Sequence, residues 1–171
     1  MSEEILKALM QLFALIVKQD SGVASNELIF VKKFLTSQLS HDAVTEYLNL
    51  FYEHADIDPN NIDNQDREQQ LTSVRDSVRI LGICKKINRR LTQKQKIVVL
   101  VRLFELVNAD RKFTEQRMAI INTVAEVFNV TPEEFESTEQ FVIDDSKTIS
   151  NSNILRISSK PTAENDECKQ I

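Results

Sequence analysis

The sequence predicts an all-α fold: a single-domain bundle of about seven helices containing two helical hairpins that echo each other. Three observations lead there. The 171 residues include only two Gly and three Pro, too few for the turns of a many-stranded β fold or for a Gly-rich phosphate loop. Apolar residues recur at three- and four-residue spacing from the N-terminus to about residue 141, the signature of amphipathic helices. Ser or Thr precedes most of these segments, where an N-cap belongs. At 42% hydrophobic and 27% charged, the chain is globular in composition and long enough for one well-filled core.

The elements follow in order. The first helix covers roughly 2–19, behind Ser2. Its apolar residues, from Ile5 to Val17, go nearly all round, which places it in the middle of a bundle. Ser25 is the expected cap of a second helix over 26–39, with Leu28, Val31, Phe34 and Leu35 on one face. Ser40 caps a third over 41–54, with Val44, Leu48 and Phe51 inward. A polar loop, Ala55 to Asp66, then carries Pro59 and a run of Asp and Asn. The fourth helix is expected from Arg67 to Asn88, on the recurrence of Leu71, Val74, Val78, Leu81 and Ile87. Thr92 with Gln95 reads as a capping box for the fifth, over 93–108. That helix is again apolar nearly all round, and its length and cap outweigh its β-branched run. Thr114 opens a sixth over 115–129. Thr131, Pro132 and Glu134 open a seventh, the strongest helix start in the chain.

Past about residue 142 the composition turns to Ser, Asn, Asp, Lys and Thr. Residues 1–141 are therefore the expected helical domain, and 142–171 a polar linker or tail leading toward a further domain in a longer protein. Only Asn153–Ser158 there could form a short strand. The two cysteines, Cys84 and Cys168, are far apart and fit reduced thiols rather than a disulfide framework. The N-terminus begins acidic and has no small-residue cleavage site, and the most apolar stretch is half of what spans a bilayer. A cytoplasmic location is expected.

Residues 12–35 and 102–125 resemble each other at an offset of 90. Each is a very apolar helix, an Asp (Asp20, Asp110), an apolar residue three later (Val23, Phe113), then an amphipathic helix. An Asp at a helix C-terminus opposes the macrodipole, so its double occurrence needs a reason. One is turn-making through hydrogen bonds to nearby backbone N–H groups. The other is a shared divalent ion, with Asp20, Glu27 and Asp110 as oxygen ligands. The second copy has Arg117 where the first has Glu27.

The stretch DSGVASNE resembles the Asp-Gly-x-Ile/Val-x-x-x-Glu hairpin of the TerB-like (tellurite-resistance protein B) domains, also found in membrane-anchored DnaJ-like co-chaperones. The second copy, ADRKFTEQ, is similar with Arg111 where Gly is usual, and Gly22 stands one position beyond its usual place. The resemblance implies an all-helical bundle of two pseudo-repeated hairpins whose acids are metal ligands, a role that carries over to Asp20, Glu27 and Asp110. Longer stretches (MSEEILKALMQLFALIVKQD, LTSVRDSVRILGICKKINRRLTQKQK and NADRKFTEQRMAIINTVAEVFNV) resemble the N-terminal region of large Bacteroidetes ABC transporter ATP-binding proteins. That implies a TerB-like module preceding ATPase and membrane parts, with this segment on the cytoplasmic face of the membrane.

Other chemistry is sparse. The sequence has no Walker A motif, G-x-S-x-G elbow, H-E-x-x-H or C-x-x-C, so no catalytic activity is expected. His54, Asp56 and Asp58 form an H-x-D-x-D string that suits either a divalent ion or a solvated acidic loop. Charge is strongly segregated. Eight basic and no acidic residues lie between 77 and 104, in a chain of net charge −5. Lys85, Lys86, Arg89, Arg90, Lys94 and Lys96 form the heart of this belt, with Arg79 and Arg102 at its ends. It suits a solvated face, or docking to a protein partner, a downstream ATPase domain or an anionic membrane surface. The acidic whole and the lack of aromatics within the belt's basic cluster speak against nucleic acid, and no small-molecule substrate is expected. The first expectation is thus a non-catalytic regulatory or docking module of an ABC transporter ATP-binding protein. The alternative is a metal-binding stress protein of TerB type.

Overall fold

Apolarity decides which helices lie inside. In the computed structural model, which describes residues 2–19, 23–60 and 74–152, α1 (Glu3–Val17) is the most enclosed element. From Leu9 to Val17 only Gln11 escapes full burial. It packs against α3 (His41–Ala55), α4 (Val74–Asn88), α5 (Gln93–Asp110) and α6 (Glu115–Val127). The second apolar helix, α5, packs against α1, α2 (Ser25–Gln38), α6 and α7 (Pro132–Ser152). Seven helices and no strand occur among the described residues. The all-α bundle with two central helices is therefore as the sequence predicts.

The repeat is more extensive than the sequence echo. The start of α5 lies 90 residues after that of α1, and the start of α6 lies 90 after that of α2. The third pair, α3 and α7, follows at 91. Contacts repeat too: α1 packs on α3 as α5 packs on α7, and α2 reaches across to α5 as α6 does to α1. The unit is thus three helices, and the two copies are cross-packed around one core. The extra helix α4 joins the copies and lies on α1 and α6.

Several expectations change in detail. The N-cap of α2 is Ala24, not Ser25. Glu27 accepts the Ala24 N–H at 2.9 Å, which closes the first turn one residue early. The buried stripe of α4 is Ile80, Cys84 and Ile87, whereas Val78 and Leu81 face outward. Both phases carry apolar residues at helical spacing, and periodicity alone does not say which one meets α1 and α6. The seventh helix continues to Ser152 rather than stopping near 141, and Val142 belongs to the core. Beyond it the sequence is mostly polar and leaves no periodic trace. The expected start of the fourth helix at Arg67, most of the polar loop, and the tail with its short strand and Cys168 lie outside the described residues.

Arg111, where the resemblance has Gly, follows α5 in a left-handed conformation, φ 55°. That region is unfavourable for a residue with a Cβ. Asp56 and Asn129, the other left-handed residues among those described, are types that tolerate it.

Candidate functional site

Two places bring together the residues that the sequence singles out. The first is the junction between the repeats. Glu27 and Arg117 are the third residues of α2 and α6, at equivalent positions 90 apart. The cross-packing turns these positions toward each other. Arg117 Nη1 lies 2.6 Å from Glu27 Oε1, and both side chains are 0% exposed. Each helix start keeps one half of a capping box. In α2 the Glu27 carboxylate accepts the Ala24 N–H, since Ala24 has no oxygen of its own. In α6 the Thr114 hydroxyl accepts the Arg117 N–H at 3.4 Å, which leaves the Arg117 side chain to point inward.

Burial pushes the Glu27 carboxyl above its ordinary value. The Arg117 guanidinium and the Ala24 amide hold it back, and the charge of nearby Asp110 adds to the upward push. Asp110, the last residue of α5, places Oδ2 3.1 Å from Lys112 Nζ. Asp20 lies outside the described residues.

The family resemblance implies a metal held by these acids, and the two that lie among the described residues, Glu27 and Asp110, do not fit one. Both oxygens of Glu27 are committed, one to a cation and one to a backbone donor. An added divalent ion about 4 Å from the guanidinium would meet a repulsion of about 8 kcal/mol at an effective dielectric of 20. Among the described residues no group of three or more His, Cys, Asp or Glu is arranged to hold an ion. The H-x-D-x-D string is likewise dispersed. His54 Nε2 meets Gln11 Nε2 at 2.8 Å, Asp56 pairs with Lys18, and Asp58 accepts the Asn60 N–H. Sequence reasoning noticed Arg117 only as a departure from the repeat. The signal that could have placed it was there: opposite charges at equivalent positions face each other when the copies cross-pack.

The second place is the corner where α4 turns into α5. Lys85, Lys86, Arg89 and Lys94 are exposed there. Lys85 and Lys86 suit the C-terminal end of α4 electrostatically. Lys94 stands in the first turn of α5, which has no acidic residue, and there a cation opposes the macrodipole. Two of the basic residues have partners within the chain, Arg90 at the surface and Lys96 part-buried. Arg90 pairs with Glu4, and Lys96 donates to the Phe128 carbonyl at 3.2 Å, satisfying the end of α6. Arg102 also leaves the belt, bonding Glu105 at 2.7 Å and lying over the Phe34 ring. Arg79 instead stays with the corner. A groove of about 400 Å³ runs between α1 and α4, with Arg79, Lys86 and Lys7 among its walls and Ala8, Ile83 and Ile87 on its apolar side. Gly82 lines it too, and a Cβ there would meet nothing within 4 Å. Cys84, beneath this face, is buried, which pushes its thiol up to about 12; it is an inert core residue.

No helix among the described residues is long and apolar enough to cross a membrane. The family model of the tellurite resistance protein TerB matches residues 6–140. No curated protein matches the chain, and no solved structure does. The matched span runs from the first turns of α1 into α7 and takes in both three-helix copies and the ion pair between them: the chain belongs to the TerB family.

Proposed function

We propose that this TerB domain is a non-catalytic docking and regulatory module, carried at the N-terminus of an ABC transporter ATP-binding protein on the cytoplasmic side of the membrane. The carrying observation is the exposed cationic corner of Lys85, Lys86, Arg89 and Lys94, in a stretch without a single acidic residue. A cation in the first turn of a helix works against that helix, which suits a surface that serves contact more than stability. The adjoining groove, with Arg79 and Lys86 beside Ile83 and Ile87, offers apolar contact next to charge. An acidic surface on the downstream ATPase domain is the partner this chemistry fits. The transporter context rests on the sequence resemblance.

The test is made on the native gene product. An antibody raised against this segment is expected to detect a membrane-fraction band far larger than the 19.7 kDa of this chain. Amine-reactive cross-links from Lys85, Lys86 and Lys94 should land on the ATPase domain. Reversing Lys85, Lys86, Arg89 and Lys94 to Glu should abolish them while leaving helical content unchanged. A band near 20 kDa outside the membrane fraction would overturn the transporter context. Salt-sensitive binding of the unmodified chain, but not the reversed one, to phosphatidylserine vesicles would redirect the corner to the membrane surface.

A further inference from the structure

We infer that Arg117 is the resident counter-cation of the junction between the two repeats, so that its guanidinium does there what a divalent ion would otherwise do, and the chain takes no metal at that place. Three observations carry this. Equivalent positions of the two copies hold opposite charges, Glu27 and Arg117, and the cross-packing brings them to 2.6 Å with both fully buried. A buried carboxylate needs a positive partner close by, and here the chain supplies one covalently. Part of the remaining capacity for an ion is also taken up. Glu27 Oε2 accepts a backbone N–H, and Asp110 Oδ2 has Lys112 Nζ at 3.1 Å. Arg117 also has a further interaction besides this pair.

The consequence is a protein whose two halves are joined independently of divalent ions. If residue 117 were a carboxylate, the same place would present Glu27, Asp110 and a third acid, with the Lys112 cation beside Asp110, a donor set of the kind that Ca²⁺ and Mn²⁺ take. The inference is independent of the docking proposal, since it concerns the opposite function of the junction and neither requires nor excludes a contact at the α4–α5 corner.

The test is thermal unfolding of the 171-residue chain in EDTA and in millimolar Ca²⁺, Mg²⁺ or Mn²⁺, followed by circular dichroism and paired with calorimetric titration of each ion. The wild type should show the same melting temperature throughout and flat titrations. Arg117→Glu should be destabilised in EDTA and regain about 5 °C or more with Ca²⁺ or Mn²⁺ once the ion is well above its dissociation constant. Arg117→Gln, which removes the guanidinium without adding a carboxylate, should respond to the same ion by less. If Arg117→Glu folds in neither condition, Arg117→Gln decides alone. A wild type that binds any of these ions stoichiometrically with a raised melting temperature would overturn the inference. So would wild-type silence combined with silence of every folded variant, because the guanidinium would then not be what keeps the ion out.

Discussion

The Glu27–Arg117 pair places two full charges where neither touches water. Such a pair contributes little net stability, because the cost of removing both charges from water offsets most of their attraction. Losing one partner is another matter. Arg117→Met or Glu27→Met should each lower unfolding free energy by about 3–5 kcal/mol, since each strands a buried charge. The double variant Glu27→Met with Arg117→Leu should recover most of that loss. Urea denaturation of these proteins, with the Arg117→Leu single variant added to close the cycle, gives the coupling directly; a double variant as unstable as the sum of the singles would show that the two side chains act separately. Cys84 makes a prediction about alkaline pH. Its thiol ordinarily titrates at 9.0 and in the fold at about 12, so between those values only the unfolded chain gives up the proton. Stability should therefore fall as pH rises above 9, with a contribution from this group of about 1.4 kcal/mol per pH unit, and should show no such slope below 9. The wild type minus Cys84→Ala difference in stability, measured from pH 8 to 11, isolates this slope from the tyrosines and lysines that titrate nearby. A flat difference would refute it.

Helix starts were the most legible elements, because a cap is local chemistry. Thr92 with Gln95 and Thr131 with Glu134 form the reciprocal bonds that their spacing requires. Each Thr→Ala change should cost about 1 kcal/mol. Ser25→Ala should cost almost nothing, since Ala24 occupies the cap position and Ser25 already lies inside α2. Chemical denaturation of the three variants checks the ranking, and a cost at Ser25 equal to that at Thr131 would contradict the assigned cap. The outward phase of α4 was not legible. Val78 and Leu81 are spaced as well as Ile80, Cys84 and Ile87 for burial, and the contact with α1 and α6 selects the latter. The end of α7 was hidden for the complementary reason: past Val142 the sequence is mostly polar and has no apolar spacing to read.

Across the whole molecule the two copies do not stand as separate units. Their second helices also reach across to the other copy, α2 to α5 and α6 to α1, over a single continuous core. The intact chain should therefore unfold in one cooperative transition, with calorimetric and van't Hoff enthalpies in agreement. A fragment of residues 1–60, holding one complete copy, should show no cooperative melt, because it lacks the surfaces that cover α1 and α2. Two separable transitions, or a fragment that melts cooperatively, would mean that each copy is self-sufficient.

From the sequence alone came the helical class, the two central helices, six of the helix starts to within a residue, the repeat offset and the segregation of eight basic residues into one stretch. All of these are properties of short segments: spacing, caps and composition act over a few residues and need no knowledge of what lies opposite. Tertiary structure decided the rest. It turned Arg117 from a departure into the partner of Glu27. It gave Arg90, Lys96 and Arg102 of the basic belt a partner each within the chain, and it left Lys85, Lys86, Arg89 and Lys94 exposed together at one corner. Charge pairing depends on the distance between side chains far apart in the chain, and only the packing of the helices sets that distance.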